Sequence, residues 1–191
     1  MYKTSSNWVF GADGYFIFGN KLKEEASSIF NEILTSDGNI IDENGEFATV
    51  LLSERGFYIG GKAGRVIPVF GSNPNSGIMF IIGAGLLQHK IRIENDGNRA
   101  PQIIGDYKKG YDKLTNGFAS NIFLGYVYFG NNRLLNFFGG IDYTIGWTQC
   151  RRDFNFDERI TDETRRTDML YSIRVGWIIP IYRHLQQKFY Y

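Results

Sequence analysis

The sequence predicts an all-β fold, an antiparallel up-and-down sheet rolled into a transmembrane barrel, and three observations carry that expectation. The first is alternation. Between Leu134 and Thr148, the residues Leu135, Phe137, Gly139, Ile141, Tyr143, Ile145 and Trp147 interleave with Asn136, Phe138, Gly140, Asp142, Thr144, Gly146 and Thr148. One face of such a strand is apolar and ends in tryptophan, while the other carries Gly, Asn, Asp and Thr, which suits a sheet whose outside meets lipid. The second is composition: 23 glycines, 12 tyrosines and 16 phenylalanines against 4 prolines in 191 residues describe a β-rich chain with crowded or tightly curved backbone. The third is the spacing of connections, which run alternately short and long.

Six segments carry a period of two and are expected as strands: residues 7–18, 55–69, 77–93, 117–129, 134–149 and 168–181. Each is long enough to cross a bilayer. In the first, Trp8, Phe10, Ala12, Phe16 and Phe18 share a face opposite Asp13 and Tyr15; in the last, Tyr171, Ile173, Val175, Trp177 and Ile179 oppose Ser172, Arg174 and Gly176. The short connections, 70–76 and 130–133, are rich in Gly and Asn, as tight turns require. The long ones are 19–54, 94–116 and 150–167. Short periplasmic turns and long outer loops recur in outer-membrane barrels, so the alternation also orients the chain, with Met1 on the periplasmic side.

Other classes fit less well. The longest apolar stretch, 78–87, is broken by Gly83 and Gly85 and is about half the roughly 20 residues that a spanning helix needs. Barrel strands escape such scans because lipid-facing and lumen-facing residues average out. A net charge of +1 gives no field for nucleic acid. The lone Cys150 cannot form an intramolecular disulfide and leaves the redox compartment open. Six strands do not close a barrel, since single-chain bacterial barrels start at eight. The expectation is therefore one domain over 1–191 that lacks an N-terminal hairpin and a signal peptide: Met1 and Tyr2 end a preceding strand and residues 3–7 form its turn. Oligomeric closure, or further strands within the loops, are the alternatives.

Four charged residues fall near mid-strand on the face assigned inward: Asp13, Lys62, Asp142 and Arg174. Charges at the midplane are costly against lipid, so inward placement with mutual pairing predicts a structural ion-pair network that plugs the lumen. Trp8, Trp147 and Trp177 fall near strand ends, where indole rings satisfy an apolar body and an N–H donor at once, and form the expected interface girdle. In the first long loop, Leu22, Ala26, Ile29, Phe30, Ile33 and Leu34 recur at helical spacing, which predicts an amphipathic helix over 23–34 that caps the barrel. A hairpin around Asn44-Gly45 is expected over 39–52. The third loop mixes Arg151, Arg152, Arg159, Arg165 and Arg166 with Asp153, Asp157, Glu158, Asp162 and Glu163 and reads as a solvated hairpin.

Catalytic signals are sparse. His89 and His184 have no surrounding motif that fixes a nucleophile and an orienting acid, although His89 with a loop serine or aspartate is a conceivable rim site for lipid modification. No Cys and His spacing suits a metal, and Gly60, Gly61 and Gly64 around Lys62 have the wrong spacing for a phosphate loop. No cofactor, metal or catalytic residue is expected.

The segment Asn7-Trp8-Val9-Phe10-Gly11, the run Gly105-Asp106-Tyr107, Gly110-Tyr111-Asp112 and Thr115-Asn116-Gly117, and the terminus Phe189-Tyr190-Tyr191 resemble small eight-stranded outer-membrane barrels of the OmpA/OmpX-like kind, especially those of Bacteroidota. The resemblance implies residence in the bacterial outer membrane, lipids as surroundings and the barrel-assembly machinery as a partner in biogenesis. Some such barrels resemble accessory parts of the type IX secretion system. The expected function is non-enzymatic: a barrel that anchors structured surface loops, with a protein partner engaged through them in assembly or secretion. A lipid-modifying barrel enzyme and a soluble lipocalin-like ligand carrier are the rival readings.

Overall fold

A computed structural model describes residues 1–22, 24–70, 73–130 and 135–181. Seven strands form one sheet in sequence order, each antiparallel to the next: β1 (Tyr2–Lys3), β2 (Trp8–Gly19), β3 (Val50–Pro68), β4 (Gly77–Asn95), β5 (Thr115–Phe129), β6 (Asn136–Cys150) and β7 (Arg165–Trp177). The class is therefore all-β and up-and-down. All six expected strands form, and the stub β1 pairs Tyr2 with Phe10 and Lys3 with Val9 ahead of a turn in which the Thr4 N–H donates to the Trp8 carbonyl. Leu134, the turn residues 131–133, Lys23, His184 and the terminal Phe189, Tyr190 and Tyr191 lie outside the described residues.

The largest boundary difference is at β3, which starts at Val50 instead of residue 55. Beyond the last β2 partner, Glu54, and the last β5 partner, His89, β3 and β4 continue together from Val50↔Asn95 to Ser53↔Arg92 as a two-stranded ribbon. Its inward residues Leu52 and Ile93 contribute to a loop core that neither strand reveals alone. The helix expected over 23–34 shrinks to α1 (Ala26–Ile29). No side chain caps its N-terminus, and so short a helix has little stability of its own. The apolar stripe still buries: Ile29 and Phe30 enter the loop core, with Ile33 and Leu34 packed against it from irregular turns. The hairpin around Asn44-Gly45 forms, with Ile41 bridged to Phe47, Gly45 at φ +78, and the Asp42 carboxylate accepting from the N–H groups of Asn44 and Glu46.

Register puts a consistent set of residues on each face. Asp13 sits opposite Gly60, Lys62 opposite Gly83, Asn121 opposite Thr144, and Asp142 opposite Ser172, all on the concave side. The sheet curls until side chains of distant strands meet across that side: Tyr15 of β2 bonds Thr144 of β6 at 3.2 Å, and Arg174 of β7 bonds Asp13 of β2 at 2.8 Å. Among the described residues, backbone pairing runs from β1 to β7 with no ladder returning from β7 to β1. Inward glycines make the curl possible by leaving room for large neighbours. A Cβ on Gly60 would lie 2.5 Å from the Tyr58 hydroxyl, and one on Gly146 would lie 2.7 Å from Leu87 Cδ2.

The interior is layered along the strands. Val9, Val66, Met79, Ile81, Phe123 and Val127 form an apolar layer toward the short turns. A polar layer follows, then a smaller apolar layer of Tyr58, Leu87 and Ala119. Above the sheet, Ile29, Phe30 and Ile40 of the first long loop, Ala100, Ile103 and Tyr111 of the second and Ile93 of β4 form a separate core, against which Phe156 of the third loop packs. The convex face is different in kind: Phe16, Ile59, Ile82, Leu124, Ile141 and Ile173 all project outward and are exposed.

Candidate functional site

The four charged residues singled out from the sequence meet in the polar layer. Arg174 forks between two carboxylates, with Nη1 2.8 Å from Asp13 Oδ2 and Nη2 3.0 Å from Asp142 Oδ2, and Lys62 Nζ lies 3.2 Å from Asp13 Oδ1. Two acids and two bases thus balance inside the sheet. Asp142 is the most enclosed, its side chain 2% exposed, and it also accepts from the Thr144 hydroxyl at 3.3 Å and from Asn121 Nδ2 at 3.5 Å. The Tyr58 hydroxyl donates to Asn121 Oδ1, Tyr15 stacks on Tyr58 with centroids 5.1 Å apart, and the Arg174 guanidinium lies 5.6 Å from the centre of the Tyr15 ring. Fully partnered networks of this kind fix geometry, because each buried polar group holds its neighbour in place. They leave little to react with a substrate.

Tyr15, Tyr58, Asn121 and Thr144 were not singled out from the sequence as members of this layer. Their parity with Asp13, Lys62 and Asp142 was visible, but which residues meet across the concave side depends on how far the sheet shears as it curls.

The three tryptophans point outward. Trp8 and Trp177 lie toward the short-turn end, where Trp177 stacks on Phe137 at 6.0 Å and the Arg65 guanidinium lies 5.5 Å from the Trp8 ring centre. Trp147 lies toward the long-loop end and stacks on Phe118 at 5.8 Å.

His89 faces inward between the sheet and the loop core. Its Nε2 is 2.9 Å from Asp168 Oδ2 and its Nδ1 3.7 Å from Glu54 Oε1, so both partners are strand residues and not loop residues. Thr148 donates to the same Asp168 oxygen at 2.6 Å. Among the described residues no hydroxyl or thiol is bonded to the imidazole itself, which is the contact that activates a nucleophile. The arrangement works as a bracket from β4 to β7. No group of three or more His, Cys, Asp or Glu among the described residues is placed to hold a metal ion.

The loops are tied by charge as well as by their core. Arg152 forks onto both carboxylate oxygens of Asp112, while Arg166 pairs with Asp162 and Arg159 with Glu32. In the third loop, Asn155 bridges Ile160 to make the small hairpin. Lys113 is the hub. Its ammonium, 9% exposed, contacts Glu24 of the first loop at 2.6 Å and Asp157 of the third at 2.7 Å. Burial works against its charge, but hydrogen bonds to Asp157 and Glu24 outweigh that, and its pKa stands above the ordinary lysine value. A raised lysine pKa stabilises the folded loops fully below the unfolded value and loses that contribution as pH rises through the folded one. Cleavage of the first loop by subtilisin is therefore expected to stay slow at neutral pH and to accelerate only above about pH 10.5. In Lys113→Met, which strands the buried Asp157, cleavage is fast at neutral pH and the alkaline step disappears. Identical profiles for the two proteins would refute the clasp.

Comparison with protein-family models, with curated proteins and with solved structures returned no match to this chain.

Proposed function

We propose that this chain is an outer-membrane β-barrel of the small kind that holds a folded cap of loops at the bacterial surface as a non-enzymatic scaffold for a protein partner in assembly or secretion. The observation that carries the reading is the facing of the sheet. At mid-strand the long strands turn an apolar row outward and Asp13, Lys62, Asn121, Asp142 and Arg174 inward, while the outward cations Arg55, Arg65 and Lys90 lie toward the strand ends; a water-soluble carrier would instead expose its charges at mid-strand. Outward tryptophans toward both ends of the strands agree with an interface girdle. The balanced ion-pair layer favours a plug over a pore, as expected of a barrel whose interior is only wide enough for side chains. The shared loop core supports the scaffold role, since it gives the cap a defined shape. It still leaves Phe47 and Tyr107 uncovered on the cap surface.

Two measurements test this. Spin labels at Leu124→Cys and Ile173→Cys in the reconstituted protein are expected to collide with lipid-soluble oxygen and to be shielded from a water-soluble nickel complex. Strong nickel collisions at both sites would end the membrane reading. Photo-crosslinkers at Phe47 and Tyr107 in intact cells are expected to capture one partner protein reproducibly. No capture at either site would end the scaffold reading while leaving the barrel in place.

A further inference from the structure

We propose that the outer face of β4, at the end nearest the long loops, holds the phosphate of a membrane lipid, with Lys90 and Lys108 as its cationic contacts. The proposal rests on the membrane reading and adds a ligand and a site to it. Arg55 of β3 and Lys90 of β4 are direct cross-strand partners on the convex face. Like charges set opposite one another destabilise a sheet, and an anion between them removes the penalty. The Arg55 guanidinium donates to the Gly19 and Glu54 carbonyls and lies 5.3 Å from the Phe18 ring centre, and Lys90 has no carboxylate partner among the described residues. Beside Lys90, a groove of about 560 Å³ runs along β4, is bordered by Asn98 of the turn that follows it, and is lined on its far side by Lys108 and Asp112 of the 105–112 segment.

The charges in that groove do not cancel. Arg92 is paired with Glu94, and Asp112 is taken by Arg152, so both acids are already neutralised. Lys90 and Lys108 remain as two uncommitted cations. A phosphate monoester carries nearly two negative charges at neutral pH and accepts several charge-assisted hydrogen bonds.

What lies below identifies the phosphate as one attached to a lipid. From Lys90 the outward row of β4 descends through Gln88 to Leu86 and Ile82, beside Phe118 and Ile122 of β5, all exposed. Lys90 stands four residues beyond Leu86, about 13 Å along the strand. That places the ammonium at headgroup height when the apolar row is in hydrocarbon. Acyl chains lying along Leu86 and Ile82 and a phosphate between the lysines are one continuous footprint.

Native mass spectrometry of the full chain in detergent tests this with phosphatidic acid, diacylglycerol of the same chains, and inorganic phosphate. Phosphatidic acid is expected to be retained about thirtyfold more strongly than diacylglycerol, the preference to vanish in Lys90→Ala/Lys108→Ala, and Lys109→Ala, whose ammonium is paired with Asp106, to behave as wild type. Lys90→Glu gives a second readout of opposite sign: it abolishes the preference yet raises stability in phosphate-free lipid, because Arg55 gains a cross-strand partner. Equal retention of the two lipids, or equal binding of inorganic phosphate, overturns the proposal. Because the spin-label result stands apart from lipid preference, the site can fall while the membrane reading survives.

Discussion

Replacing Arg174 with methionine is expected to lower the free energy of unfolding by about 3–5 kcal/mol, the usual cost of removing one partner from an enclosed charge pair. The guanidinium is the sole cation hydrogen-bonded to Asp142 among the described residues, and it also carries the bridge from β7 to Asp13 on β2. Its loss leaves two carboxylates facing Lys62 alone. Urea unfolding in lipid vesicles, followed by tryptophan fluorescence, measures the difference. Arg174→Lys is expected to fall between the two, because a single ammonium cannot fork onto both acids as a planar guanidinium does. Adding Asp142→Asn to Arg174→Met is expected to restore part of the loss, and the non-additivity measures the coupling directly. A change below about 1 kcal/mol in Arg174→Met would show that water, and not the network, solvates these groups.

The strands and their facing were legible in the sequence because both depend on a local rule. Alternation along one segment fixes which residues share a side, and Phe137, Ile141 and Ile145 could be assigned to the same row as Trp147 without knowing any neighbour. The inward charges were legible for the same reason, with Asp13, Lys62, Asp142 and Arg174 all read from parity. Their partners were less legible. Whether Arg174 reaches Asp13 depends on the curl of the whole sheet, and whether His89 meets Asp168 or a loop residue depends on the register of the two intervening strands, β5 and β6. The β3–β4 ribbon was hidden because Ser53-Glu54-Arg55 reads as a polar break, yet Leu52 is held by Ile93 and a core assembled from three loops. Helical spacing over 23–34 recorded a real buried stripe but not the backbone that delivers it. Burial in that core rewards Ile29 and Phe30 whatever path the chain takes, and only four residues keep helical geometry.

Substituting Ile141 with arginine is expected to destabilise the protein by about 2–4 kcal/mol in a bilayer, the cost of a cation on the lipid face at mid-depth. Ile141 projects outward between Leu124 and Ile173, is 65% exposed, and lies between the Phe137–Trp177 stack at one end of the sheet and the Phe118–Trp147 stack at the other. In water an exposed position of this kind tolerates arginine within about 0.5 kcal/mol. Gln149→Arg, on the same face of the same strand but past Trp147, is the depth control; measured in an Arg165→Gln background, which removes the cation opposite it, it is expected to cost about 0–1 kcal/mol. The contrast between the two is the decisive quantity, since loss of packing would not depend on distance from the tryptophan layers. A neutral Ile141→Arg would place the apolar belt in water and remove the membrane reading together with the lipid site built on it. Equal costs at both positions would assign the effect to strand packing and leave the facing without a lipid explanation.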